Sequence, residues 1–249
     1  TPPSAAKTVT ISIPEGLSRR EIAPRVKDAG LKGNYVSATK RSARLSPRRY
    51  GAPRGTRSLE GFLFPSTYEL KRKANVRRLV DDQLATFKKK IATVDLAYAK
   101  KKNLTVYDIL IIASMIDREA AVEGDRAKIA AVIYNRLKAK IPLGIDATTR
   151  YEFHNWQTPI TASQLQSTSG YNTRKNLGLP PTPIGNPGLA SIKAAANPSR
   201  KGYLFFVVKP CGNGAHVFSS TNAQFLKDEA AYNAARDKNG GKDPSRCKN

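Results

Sequence analysis

Residues 108–137 read DILIIASMIDREAAVEGDRAKIAAVIYNRL, and the apolar run inside them limits what the chain can fold into. From Ile109 to Ile116 the residues are apolar on nearly every side, so a helix here must be enclosed by protein and cannot lie half-exposed on a surface. Thr105 and Asp108 have the spacing of a capping box, which gives this helix a start. Gly124 separates it from a second helix, which Asp125 can cap and whose stripe is Ile129, Val132 and Ile133. The apolar run ends in charge, at Asp117, Arg118 and Glu119.

Helical spacing distinguishes these three. Glu119 follows Ile112, Met115 and Ile116 by seven, four and three residues, so it continues their inward face. An inward carboxylate must be paired or hydrogen-bonded, or its pKa rises, because burial disfavours the charged form. A raised pKa is what a general acid needs. A structural salt bridge at a helix end has the same spacing, and both readings stand at this point. Arg136 stands in the same relation to Ile129, Val132 and Ile133, so it either pairs with Glu119 or shares a polar pocket with it.

The stretch SMIDREAAVEGDRAKIAAVIYNRL resembles the helix pair of the MltG (YceG-like) family of endolytic murein transglycosylases. In that family the acid of a short acidic-basic-acidic stretch is the catalytic glutamate, and by position this is Glu119. Further matches follow in the family's order: LEGFLFPSTYEL at 59–70, Ile141-Pro-Leu143 with Asp146, Tyr171-Asn-Thr173, GLPPTPIGNPG at 178–188, LFFVV at 204–208 and Gly214-Ala-His216-Val-Phe218. The ordered set covers roughly residues 59–226. Two departures stand out: Gly144 where the family tends to carry Gln, and Ala223-Gln-Phe225 in place of a more polar stretch.

A formal charge of +24 predicts long-range attraction to an anionic polymer or surface. The excess sits mainly in the N-terminal part, in KRSARLSPRRYGAPRGTR at 40–57 and in basic clusters up to Lys102. The first of these reads as a solvated loop or linker. Tyr50 among the basic residues invites a nucleic-acid reading, but no aromatic RNA-binding pattern, helix-turn-helix signal or zinc spacing supports one. No stretch approaches the roughly 20 apolar residues that cross a bilayer. Cys211 and Cys247 lack metal-ligand spacing and fit a single disulfide, hence an oxidising compartment; two free thiols are the alternative. Nothing suggests a metal or an organic cofactor.

The fold class expected is α+β. Val9 to Ile13 alternate like a strand, Ser18 and Glu21 form a second capping box, and a short helix follows with Pro24 inside it. By resemblance this βα piece is a small LysM-like module, so residues 1–58 are expected to be a LysM-like module with a basic linker and 59–249 a larger catalytic domain. Helices are expected at about 76–91, 189–196 and 222–238, and a hairpin from 203–208 and 215–218. Glu60, beside a cluster of aromatics, suits either a sugar cleft or a core segment. Asn172 and Asn186 are sugar ligands or turn residues, and His216 is structural or cleft-lining.

The resemblance implies an endolytic peptidoglycan lytic transglycosylase that cleaves the MurNAc-GlcNAc β-1,4 bond and leaves 1,6-anhydro-MurNAc ends, with Glu119 as acid and then base. Expected substrate contacts are Glu60, Asn135, Arg136, Asp146, Tyr171, Asn172, Asn186 and His216. The expected partners are peptidoglycan glycan strands, anionic wall polymers and the cell-wall synthesis machinery, with no nucleic acid. TPPSAAK reads as a linker following a single-pass membrane anchor, on the extracytoplasmic face of a bacterial membrane. The competing readings are a glycoside hydrolase using Glu119 with Glu60 or Asp146, and a non-enzymatic scaffold that binds wall glycan or teichoic acid.

Overall fold

A computed structural model describes residues 8–246; TPPSAAK and Cys247 lie outside them. The chain divides into two compact units. One comprises the residues up to Met115 together with Pro181–Ala196, the other Ile116–Pro180 together with the residues from Asn197 onward.

In the first unit, strand β1 (Thr8–Ser12) pairs antiparallel with β2 (Thr67–Lys71), Ile11 opposite Tyr68. The alternation of β1 puts Ile11 inward, and Tyr68 and Leu70 do the same for β2. Helix α1 (Arg19–Asp28) carries the full capping box of Ser18 and Glu21, and it runs through Pro24 with Ile22 and Val26 buried. Short α2 (Tyr35–Ala38) follows, and then a 3-10 turn at Pro47–Tyr50. Because β1 takes its partner from residues beyond 58, a boundary at that point does not coincide with a boundary of packing.

The basic stretch 40–57 is not a solvated linker. Leu45 and Ala52 are buried, and the Tyr50 ring packs 5.5 Å from Phe62 and 5.4 Å from Phe87. A few apolar anchors are enough to fold a segment whose average composition is polar. Helix α3 (Val76–Ile91) buries Val76, Leu79, Val80, Leu84, Phe87 and Ile91, as its apolar spacing predicts. Helix α4 (Ala97–Lys101) leads to α5 (Val106–Glu119), where Thr105 and Asp108 make their reciprocal cap and Ile109 to Ile116 are buried throughout.

The segment 59–65 is core. Leu59, Phe62 and Leu63 have no exposed surface, and Phe62 stacks 6.0 Å from Tyr107. Glu60 is buried with it. Its Oε1 accepts from Arg19 N–H at 2.9 Å and from Asn186 Nδ2 at 2.8 Å, and Arg19 Nε stands 3.7 Å from Oε2. Asn186, also fully buried, donates to Leu17 C=O and accepts from Gly61 and Leu63 N–H. One amide thus holds three chain segments together. Gly61 has φ +87, and a Cβ there would lie 2.6 Å from Pro183, so this crossing requires glycine. Helix α9 (Leu189–Ala196) completes the unit.

The second unit contains the end of α5, a 3-10 turn at Glu123–Asp125, α6 (Arg126–Ala139), α7 (Asp146–Phe153) and α8 (Ala162–Leu165). Strands β3 (Phe205–Val208) and β4 (His216–Ser219) form the expected hairpin, Val208 opposite His216. Helix α10 (Asn222–Lys238) packs on it, with Phe225 stacked 4.9 Å from Phe205. That contact gives the departure at Ala223-Gln-Phe225 an apolar role. Among the described residues, no helix is long and apolar enough to cross a membrane. The class is α+β.

Replacing Asn186 with Ala leaves Gly61 N–H, Leu63 N–H and part of the Glu60 carboxylate buried without a partner. We expect a loss of about 2–4 kcal/mol in urea unfolding, since each orphaned buried group costs roughly 1–3 kcal/mol. A change below about 0.5 kcal/mol would refute this account of the residue.

Candidate functional site

Glu119 is the last residue of α5, placed there by the face that carries Met115 and Ile116. The residue as a whole is half-buried. Its carboxyl pKa is raised from 4.5 to about 7. The main cause is loss of water around the charged form, followed by repulsion from Asp146. The Ala147 N–H, which donates to the carboxyl, and the positive charges of Arg150 and Arg174 oppose the rise but do not cancel it.

Helix α7 explains how these groups meet. Its N-cap residue is Ile145, whose side chain cannot accept from the first turn. The Ala147 N–H is therefore left for Glu119, which serves as the cap from another helix. The start of α7 is stitched to the 171–176 loop: Gly144 N–H donates to Thr173 C=O at 2.9 Å, Ile145 N–H to Thr173 Oγ1 at 3.0 Å, and the Thr148 and Thr173 hydroxyls are 3.0 Å apart. Gly144 has φ +64, a left-handed turn that Gln would adopt only under strain, so the departure from the family at this position matches the backbone. The same loop delivers Arg174, whose Nη2 and Nε lie 2.6 and 2.9 Å from Asp146 Oδ1. Asp146, about half exposed, is thereby held in an ion pair with Arg174 near Glu119.

The other expected contacts fall elsewhere. Arg136 does not pair with Glu119. Its guanidinium donates to the carbonyls of Leu204, Pro142 and Leu143 at 2.6, 3.2 and 2.8 Å and lies over the Phe205 ring, and burial lowers its pKa. It ties the turn before α7 to the strand segment. Asn135 Nδ2 donates to Lys201 and Tyr203 C=O and fixes the same strand entry. Asn172 has no exposed surface; its amide donates to Leu165 and Ser167 C=O and accepts from Arg174 N–H, so it shapes the loop that presents Arg174. The Tyr171 ring lies 5.2 Å from Tyr151.

His216 is buried against Asp125, with its backbone N–H 2.7 Å and Nδ1 3.1 Å from Asp125 Oδ2. Asp125 consequently makes no side-chain cap to α6, contrary to expectation, because its carboxylate is turned to the hairpin. Glu123 is exposed in its 3-10 turn. Glu60 and Asn186 belong to the first unit, where burial and the bonds already described give them a packing role. Among the described residues, no group of three His, Cys, Asp or Glu side chains converges as a metal site would require. The site is thus Glu119, Asp146, Arg174 and Arg150. The two arginines were missed because they lie outside any apolar periodicity.

The model of the YceG-like family matches residues 3–231. An endolytic murein transglycosylase of Bacillus subtilis is 37% identical over 183 residues, 70% of this chain and 48% of that protein. One from Streptococcus pneumoniae is 36% identical over 154 residues, 60% of this chain and 28% of that protein. The chain thus spans about half the length of the first and little more than a quarter of the second. A crystal structure of a yceG-like protein from Listeria monocytogenes superposes with a TM-score of 0.75 at 28% identity, covering 88% of this chain and 74% of that one.

A carboxyl with a folded-state pKa above its unfolded value supports folding below about pH 4.5, and this support is lost as pH rises through about 7. Glu119→Gln removes the charge that burial penalises. In thermal melts the variant should therefore be more stable than wild type at pH 8, by on the order of 1–3 kcal/mol after allowance for partial exposure, with the gap shrinking toward pH 5. A variant less stable at pH 8 would contradict the assigned pKa.

Proposed function

Because the chain belongs to the YceG-like family, we propose that it carries the catalytic part of an endolytic murein transglycosylase, with Glu119 as the group that moves the proton. The observation behind this is a desolvated carboxyl with a pKa near 7, neutral often enough to donate and ionised often enough to accept. In the first step Glu119 protonates the oxygen of the MurNAc-GlcNAc β-1,4 bond, and the GlcNAc hydroxyl departs. In the second the carboxylate, steadied by Ala147 N–H, takes the proton from the MurNAc C6 hydroxyl, whose oxygen closes on C1. The product is a 1,6-anhydro ring, and Glu119 is protonated again. Asp146 raises the proton affinity of Glu119 and, held by Arg174, bears negative charge beside the cationic sugar that develops at C1.

Asp146 also keeps the hydrolase reading open, since a second carboxylate next to a general acid can position water. Product mass from purified glycan strands separates the two readings, and we expect ends one water lighter than hydrolysis gives. Glu119→Gln should lower cleavage by about 10²- to 10⁴-fold. Near-normal turnover in that variant would remove the assignment. Asp146→Asn removes a repelling charge and should shift the alkaline limb of the pH profile to lower pH. A shift to higher pH would mean that Asp146 does not act on Glu119.

The proposal takes peptidoglycan glycan strands as substrate. It includes an extracytoplasmic location, a single-pass anchor N-terminal to this chain, contact with the cell-wall synthesis machinery, and a LysM-like glycan-binding role for the βα unit of β1 and α1. A Cys211–Cys247 disulfide belongs to the same reading. It is supported by Cys211 and Asn213 N–H donating to Pro244 and Ser245 C=O, which lays the tail against the hairpin turn. Unreduced protein from an oxidising compartment should show the Cys211–Cys247 crosslink by peptide mass spectrometry, and two alkylatable thiols would disprove it.

A further inference from the structure

The first unit carries a basic groove whose lining shares no residue with the candidate site at Glu119. Lys40, Arg41, Arg44, Arg57 and Arg77 line a cavity of about 650 Å³, and a second of about 270 Å³ shares Lys40, Arg41 and Ser42 with it, so the two adjoin. The single carboxylate in the lining, Asp81, is engaged by Arg44 at 3.6 Å. Among the described residues, no carboxylate lies within ion-pair distance of Lys40, Arg41, Arg57 or Arg77.

These charges do not sit on a floppy run. Thr39 is buried and accepts from Leu59 N–H at 3.0 Å through its carbonyl, and Leu45 is buried beneath the loop. Tyr35 OH donates to Gln83 Oε1 at 2.8 Å, tying α2 to α3, and Lys88 Nζ donates to Arg44 C=O at 2.6 Å. The fold therefore holds four like charges close together, an arrangement that an anion relieves.

We propose that this groove binds the repeating phosphodiesters of an anionic polymer, with Lys40, Arg41, Arg57 and Arg77 as the phosphate ligands. Arginine forks take two oxygens of one phosphate, and three of the four ligands are arginine. Four separate cationic side chains exceed what one phosphate takes up, which suits a chain of phosphates better than a single headgroup. Large exposed apolar side chains, which would dip into a bilayer, occur at Phe153, Leu177 and Leu226 and not in the groove. No aromatic ring lines the groove either, so bases have nothing to stack on. The inference does not rest on the cleavage reading, because it concerns binding alone.

The test is anisotropy of a fluorescent glycerol-phosphate oligomer titrated with the full chain at several salt concentrations. Replacing Lys40, Arg41, Arg57 and Arg77 together with Ala should weaken binding about 30-fold or more and flatten the salt dependence, as expected when phosphate contacts are removed. A charge-matched control with Lys89, Lys90, Lys100 and Lys101 changed to Ala should lose less than about threefold. Equal losses in the two variants would overturn the site. If the quadruple variant does not fold, the wild type decides: the oligomer should protect Lys40 from acetylation well beyond Lys89, and equal protection overturns the proposal. Polyglutamate binding as tightly as the oligomer would overturn the choice of phosphate. Binding only to phosphatidylglycerol vesicles would hand the groove to a membrane and end the proposal as stated. Neither failure would touch Glu119, whose product-mass assay is read separately.

Discussion

The candidate site depends on one contact, in which the Glu119 carboxyl at the end of α5 caps the first turn of α7. Two opposed tendencies meet there. Burial and the neighbouring Asp146 favour the neutral acid, while the Ala147 N–H, Arg150 and Arg174 favour the anion. Burial wins by a margin that puts the pKa near neutrality. The rest of the second unit can be understood as support for that balance. Thr173 and Thr148 fix where α7 begins, Asn172 shapes the loop that presents Arg174, and Arg136 anchors the turn between α6 and α7 through backbone carbonyls.

The first unit handles buried polarity differently. Glu60 is as deeply placed as any apolar neighbour, but its carboxylate is met by a backbone N–H, an amide and a guanidinium, and Asn186 uses both ends of its side chain. A carboxylate so fully engaged holds chain segments together. Glu119 is less deeply buried as a residue and has a like charge beside it that raises its pKa, which suits it to proton transfer. This contrast, more than residue type, separates the two acids that the resemblance brought forward.

Much of this was legible in the sequence where periodicity or capping chemistry speaks. The inward aim of Glu119 followed from its spacing to Ile112, Met115 and Ile116, and the boxes at Thr105 and Ser18 formed as their residue types require. Helix α7 was not legible, since DATTRYEF has no apolar stripe and its start is fixed by Thr173, far along the chain. Arg174 was invisible for the same reason: its role comes from a loop stitched to a helix 28 residues earlier. The inward aim of Arg136 was legible but its partner was not, because carbonyls at a turn and a strand entry leave no mark in side-chain patterns. The basic segment misled by composition, for its few anchors, Leu45, Tyr50 and Ala52, are outnumbered by charge.

The central claim is that the fold holds the Glu119 carboxyl as a proton donor near neutral pH. Side-chain carboxyl NMR of protein labelled with 13C at glutamate, with Glu119 assigned by difference against Glu119→Gln, measures this directly. The account predicts a titration midpoint near pH 7. A midpoint near 4.5, the ordinary value for a solvated glutamate, would contradict it.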